Sequence, residues 1–167
     1  IGQIPVDKAN LRNEYLWHQQ LFGKHADDSL GYLYLDEVHC VEAQDGTIIA
    51  LSRYQGKGAN KSDRYLRQSQ STDGGKTWTQ PQKTQMLGYP PHLLKMRNGW
   101  ILATYGRRVA PMGQRACVST DNGRTWNTES EFTLCTAAPQ PAADLGYPST
   151  VELDDGTLYT VYYQKPE

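Results

Sequence analysis

The chain is poor in cysteine, carries no surplus of either charge, and contains no long apolar run; each shortage removes a class of function. Its three cysteines, Cys40, Cys117 and Cys135, form no C-x-x-C pair and leave one over, which argues against a disulfide framework or a zinc site. Cys40 and Cys117 stand in apolar, strand-like runs and are expected to be buried free thiols. Lys and Arg number 17 against 18 Asp and Glu, for a formal net charge of −1, and the basic residues are scattered. No global field draws nucleic acid or an anionic membrane. No run approaches the ~18 apolar residues that a membrane span needs. H-E-x-x-H, G-x-S-x-G and dinucleotide fingerprints are missing, so metal hydrolysis, serine hydrolysis and hydride transfer lack a motif, and no metal or cofactor is expected. The first residue is Ile1 rather than Met, so the chain reads as a mature product or a fragment in which a removed signal peptide would not be visible.

What is present is turn-forming and repetitive. The 167 residues include 15 Gly and 9 Pro with 38% hydrophobic content, the profile of a turn-rich globular β protein with a sizeable core. The octamer Ser71-Thr72-Asp73-Gly74-Gly75-Lys76-Thr77-Trp78 returns 48 positions later as Ser119-Thr120-Asp121-Asn122-Gly123-Arg124-Thr125-Trp126. A period of roughly 40 to 50 residues indicates a repeat architecture in which each unit is a small sheet that buries its faces against its neighbours. Chemically the octamer is a tight turn: Asp73 and Asp121 accept from nearby amides, Gly75 and Gly123 permit positive φ, and Trp78 and Trp126 anchor the exit, buried between neighbouring units. A phosphate-loop reading of Gly75-Lys76-Thr77 fails, because Gln70 stands where the leading glycine belongs.

Around the octamers the same order of elements recurs. A strand at 38–43 turns at Asp45-Gly46 into 47–52, and a third strand at 64–69 runs into the first octamer. The second unit repeats this with 92–96, a turn at Asn98-Gly99, 100–105, then 116–119 and the second octamer. A third begins with 149–153, turns at Asp155-Gly156 and continues through 157–163. Residues 37–167 thus read as three successive units, the last incomplete. Residues 1–36 read as an N-terminal segment, an outer strand of a preceding unit plus a loop, with a further strand at 30–35. There Trp17 and His18 are open to a sugar-site reading or to core and rim packing. Asn60-Lys61-Ser62 is a glycosylation sequon, meaningful only in a eukaryotic secretory context.

The pattern Ser-x-Asp-x-Gly-x-Thr-Trp resembles the Asp box, or BNR repeat, of sialidases and related β-propellers, a likeness covering about residues 37–163. It implies an all-β fold, a sialidase-type β-propeller with about three blades of a six-bladed ring in this chain. It also implies that the boxes lie on the rim, away from the active centre. The segment from Glu37 through Asp45-Gly46 to Arg53 resembles the one carrying the family's general base and one arginine of a triad. Arg115 matches another triad arginine, and Gly146-Tyr147-Pro148-Ser149 resembles the segment with the tyrosine nucleophile. Tyr89 and His92 echo that motif one unit earlier as substrate-binding candidates, and Arg107 and Arg108 stand where they can approach the same centre. Pro148 and His39 depart from the family pattern, which leaves the exact sugar open. The first triad arginine and the acid/base aspartate belong to the family's earlier blades, and Asp27, Asp28 and Asp36 match no motif.

The chemistry asks for these residue types. A guanidinium fork binds a sugar carboxylate bidentately, and a tyrosine relieved of its proton by a glutamate avoids the repulsion that a carboxylate nucleophile would meet there. The expected function is therefore a sialidase-like retaining exo-glycosidase acting on terminal sialic acid or a related acidic sugar, represented by its C-terminal half. The alternative is a non-catalytic Asp-box propeller that binds carbohydrate or protein. A glycan substrate, a missing half-propeller or self-association, and a secreted or periplasmic location complete the expectations.

Overall fold

The computed structural model describes residues 35–54, 63–137 and 144–164. Trp17, His18, Asp27, Asp28, the strand expected at 30–35 and the Asn60 sequon lie partly or wholly outside those residues. Among the described residues, ten strands form three antiparallel sheets. The first blade holds β1 (Leu35–Glu42), β2 (Ile48–Tyr54), β3 (Tyr65–Ser71) and β4 (Gln82–Leu87), side by side in that order. The second repeats it with β5 (Pro91–Lys95), β6 (Ile101–Arg107), β7 (Gly113–Ser119) and β8 (Phe132–Thr136), a single 3₁₀ turn at Thr128–Ser130 preceding the last. The third shows two strands, β9 (Leu145–Glu152) and β10 (Leu158–Gln164). These are successive propeller blades, packed face on face. The outermost strands β4 and β8 escape sequence reading because their side chains are mostly polar or exposed, with little alternation to betray a buried face.

Burial follows from that stacking. The second blade lies between the other two, so β6 is covered on both faces and six consecutive residues, Ile101 to Gly106, are buried. Ile49, Leu51, Leu66, Met86, Ile101, Ala103, Tyr105 and Cys117 belong to one continuous core across the first two blades. Cys117 is buried as expected, but Cys40 is exposed. It lies on the edge strand β1, where strand alternation turns it away from the half-buried side of His39 and Val41.

Both ends of the blades are set by local chemistry. At one end, Ala43 N donates to Thr47 O at 2.8 Å, Met96 N to Trp100 O at 2.8 Å and Leu153 N to Thr157 O at 2.8 Å, closing three equivalent turns. Asp45, Asn98 and Asp155 each accept from the amide two residues on, at 2.9–3.0 Å. The two Asp boxes stand at this same end. Asp73 accepts from Ser71 Oγ, from the Lys76 and Thr77 amides and from Thr77 Oγ1 at 2.7–3.0 Å. Asp121 does likewise with Ser119 and Thr125 at 2.6–2.9 Å. The Thr77 hydroxyl and amide, with Ser71, hold the Asp73 carboxyl far below its ordinary range.

The tryptophans of the boxes differ. Trp126 is wedged between blades, its indole donating to Gln68 Oε1 at 2.7 Å while it packs on the core. Both are half-buried rather than buried, and the Trp78 indole closes only its own turn, onto Gly75 O at 3.0 Å. The reason is the direction of stacking. The second box leans back on the first blade, where Gly123 meets Ile49, whereas the first box has no described blade on the corresponding side.

Candidate active site

The opposite end of the blades gathers a second group of ionisable side chains. Strands β1, β5 and β9 begin there, and β2, β6 and β10 end there, so Glu37, Arg53, Tyr89, Arg108 and Tyr147 reach one region from three blades. Two of these residues are aimed by the same backbone irregularity. Between Asp36 and His39, β1 carries one residue more than its partner, and β9 does so between Gly146 and Ser149. Such a bulge kinks the strand and re-aims a side chain. Glu37 and Tyr147 sit within these bulges at φ 52° and 50°, the left-handed region that bulky residues avoid, at a cost of order 1–3 kcal/mol each.

The bulges bring side chains separated by 110 positions into contact. The Tyr147 hydroxyl donates to Glu37 Oε1, and Arg53 Nη1 donates to both Glu37 oxygens at 3.0 and 2.9 Å. The Arg53 and Glu37 side chains are 15% and 25% exposed, so this ion pair is partly desolvated and better defined than an open surface pair. The Arg53 guanidinium carbon lies 4.4 Å from the Tyr89 ring centroid, and that of Arg108 lies 5.3 Å from the same ring. Arg108 is steadied by donating Nε to Leu145 O at 2.7 Å. Tyr163 stands beside Tyr147, with ring centroids 6.0 Å apart. Close backbone packing carries the arrangement: a Cβ on Gly106 would lie 2.8 Å from Gly146 Cα.

Tyr147 is half-exposed and open to a ligand, and its hydroxyl is held protonated. Donation to the Glu37 carboxylate is the main influence raising its pKa, with desolvation and the Glu37 charge adding; the charges of Arg53 and Arg108 oppose them. In this state Tyr147 is a phenol with an acceptor already in place for its proton.

Two candidates stand elsewhere. Arg115 lies on the third strand of its blade, only 3% exposed, donating to Pro111 O at 2.8 Å, Gln114 O at 3.1 Å and Cys135 O at 3.2 Å. Its Nε is 3.5 Å from Glu131, which also accepts from the Tyr105 hydroxyl. A guanidinium so engaged braces the blade rather than sharing the volume before Tyr147; Arg108 is the second cation there. His92 is half-buried, 4.4 Å from the His39 ring, with Nδ1 accepting from Thr150 N at 3.4 Å. It joins blades below the site. Tyr163 is the residue that motif reading passed over, because it marks no motif and comes to Tyr147 through pairing of its strand with β9.

A family model described as a BNR repeat-like domain matches residues 12–160. Among solved structures, a protein of unknown function from Dyadobacter fermentans is 31% identical with a TM-score of 0.63, the match covering 78% of this chain and 34% of that one. The α-L-arabinofuranosidase of Fusarium graminearum, solved with arabinobiose, is 22% identical with a TM-score of 0.58, covering 77% and 40%. An ulvan lyase is 17% identical with a TM-score of 0.56, covering 74% and 30%. The latter two likenesses are of fold. This chain spans about a third of the length of the first of these structures and 40% of the second. Among curated proteins, no sequence matches.

Proposed function

This chain belongs to the BNR repeat-like domain family, and on that premise we propose that it supplies part of the active centre of a carbohydrate-active propeller, a sialidase-like retaining exo-glycosidase for an acidic sugar. The observation that carries the reading is the Tyr147 hydroxyl donating to a Glu37 carboxylate that Arg53 holds in place. In the proposed reaction the Tyr147 oxygen attacks the anomeric carbon and its proton passes to Glu37. The bond to the leaving group breaks as the glycosyl-tyrosine bond forms, and water then releases the sugar. Arg53 and Arg108 flank this position, and in the proposal they face the substrate carboxylate. The acid for the leaving group and any further arginine come from blades outside this chain. The whole propeller is proposed to be completed by further blades or by a second copy, and to work in a secreted or periplasmic setting.

The test is hydrolysis of aryl sialosides by the intact protein, beside aryl uronides and aryl glycosides of neutral sugars. Turnover of an acidic glycoside, abolished in Tyr147→Phe, is the expected result. Turnover of neutral sugars alone overturns the carboxylate clamp. No turnover of any glycoside by the intact protein favours a binding propeller.

A further inference from the structure

At the other end of the sheets, away from Tyr147, a groove of about 510 Å³ runs between the first and second blades. It falls in the range of about 300 to 1,000 Å³ typical of ligand clefts. Five glutamines, Gln68, Gln70, Gln80, Gln82 and Gln85, line it together with Trp126. We infer that this groove binds a segment of a neutral oligosaccharide, separately from the chemistry at Tyr147.

Three features of the lining select that ligand. The amides offer donors and acceptors on the same side chain, the pairing that sugar hydroxyls require. Gln68 forms a fixed floor, accepting from the Trp126 indole at 2.7 Å and donating to Gly123 O at 2.8 Å, so the indole is held rigid. A rigid indole offers a flat apolar surface to the C–H face of a pyranose or furanose ring. The side-chain amides of Gln70 and Gln80, by contrast, have no partner among the described residues, and Gln82 makes only a 3.3 Å bond to Gln80 O.

The third feature is charge. Two cations border the groove, and both are already engaged. Lys83 is 3.3 Å from Asp63 and 4.3 Å from the Tyr65 ring, and Arg124 is 2.7 Å from Asp45. Among the described residues, no carboxylate lines the groove. An anionic ligand would have to compete for spoken-for cations, and a cationic one would find no counter-charge. A hydroxyl-rich neutral chain meets neither cost.

The experiment titrates cellohexaose, α-1,5-arabinohexaose and hexagalacturonate into the intact protein carrying Tyr147→Phe, which prevents hydrolysis. Calorimetry and tryptophan fluorescence are read together. Saturable binding of at least one neutral hexamer with a change in indole emission is expected. In the further variant Gln80→Ala/Gln82→Ala it should weaken about tenfold, the loss from two modest hydrogen bonds. Both glutamines are exposed, so the variant should fold, and an unchanged thermal transition checks this. Binding of neither neutral hexamer, equal affinity in the glutamine variant, or tighter binding of hexagalacturonate overturns the inference. Because the readout is binding without turnover, loss of the groove and loss of the Tyr147 reaction are told apart.

Discussion

The pairing of Glu37 with Tyr147 costs backbone energy, and the cost identifies it. Two bulky residues in left-handed φ, each inside a one-residue bulge of an equivalent strand, persist only where surrounding structure over-determines them. In the intact protein, Tyr147→Phe should lower kcat by orders of magnitude, with little change in the denaturation midpoint, since the ring is half-exposed and only a hydroxyl is lost. Glu37→Gln should lower kcat as well, because the amide cannot take the proton in its place. Arg115 separates binding from bracing. Arg115→Lys would abandon the bonds that a buried guanidinium makes to three carbonyls and should destabilise by about 1–3 kcal/mol in urea unfolding, with KM unchanged. Arg108→Lys should raise KM with stability nearly intact. The reverse pattern would return Arg115 to the substrate.

Turns and strands carry the inter-blade contacts, and they respond to substitution and to pH in separable ways. Gly123 has φ 78°, and a Cβ there would lie 2.7 Å from Ile49 Cγ1 on the neighbouring blade, whereas Gly46, at φ 83°, has nothing within 4 Å of its Cβ position. Gly46→Ala should therefore cost only the left-handed strain, about 1–2 kcal/mol. Gly123→Ala should cost more, by a further 1–3 kcal/mol or so, because a packed core has to yield; comparing the two urea midpoints checks this. The histidines form a second device. His39 Nδ1 accepts from Leu93 N at 3.1 Å and His92 Nδ1 from Thr150 N at 3.4 Å, so each ties its inner strand to the next blade in its neutral form. Burial lowers both pKa values, and for His92 the His39 charge lowers it further. A depressed histidine stabilises fully above the unfolded value near 6.5, and that contribution is lost as pH falls through the folded values. Denaturation midpoints should hold above about pH 6.5 and decline below it, and His39→Gln/His92→Gln should flatten the decline.

At the scale of the molecule, the third blade turns an unusual surface outward. Val151 on β9, Tyr159 and Val161 on β10, and Leu153 just past β9 are each 43–59% exposed, and strand alternation puts them on one face. Contiguous exposed apolar faces of this kind mark interaction surfaces. Sedimentation of the isolated chain should show self-association that vanishes when a charge is placed on this face, as in Val161→Lys; a dilute monomer with or without the substitution would contradict it. The repeat was legible in the sequence because Asp boxes and Asp-Gly or Asn-Gly turns are local. Ser71 with Asp73, or Asp45 with Thr47, satisfies its hydrogen bonds within a few residues, so the chain alone determined three antiparallel units in order. The pairing of Glu37 with Tyr147 and Arg53 was legible only through resemblance, since no spacing rule joins positions 110 apart. What the tertiary structure alone decided was orientation. Bulges turned Glu37 and Tyr147 toward each other, the carbonyls of Pro111, Gln114 and Cys135 withdrew Arg115, and stacking of the second blade on the first set Trp126 against the core and Gln68 while Trp78 closed only its own turn. Each depends on which atoms of a distant strand lie within hydrogen-bond or van der Waals reach, and that is fixed only when the blades pack.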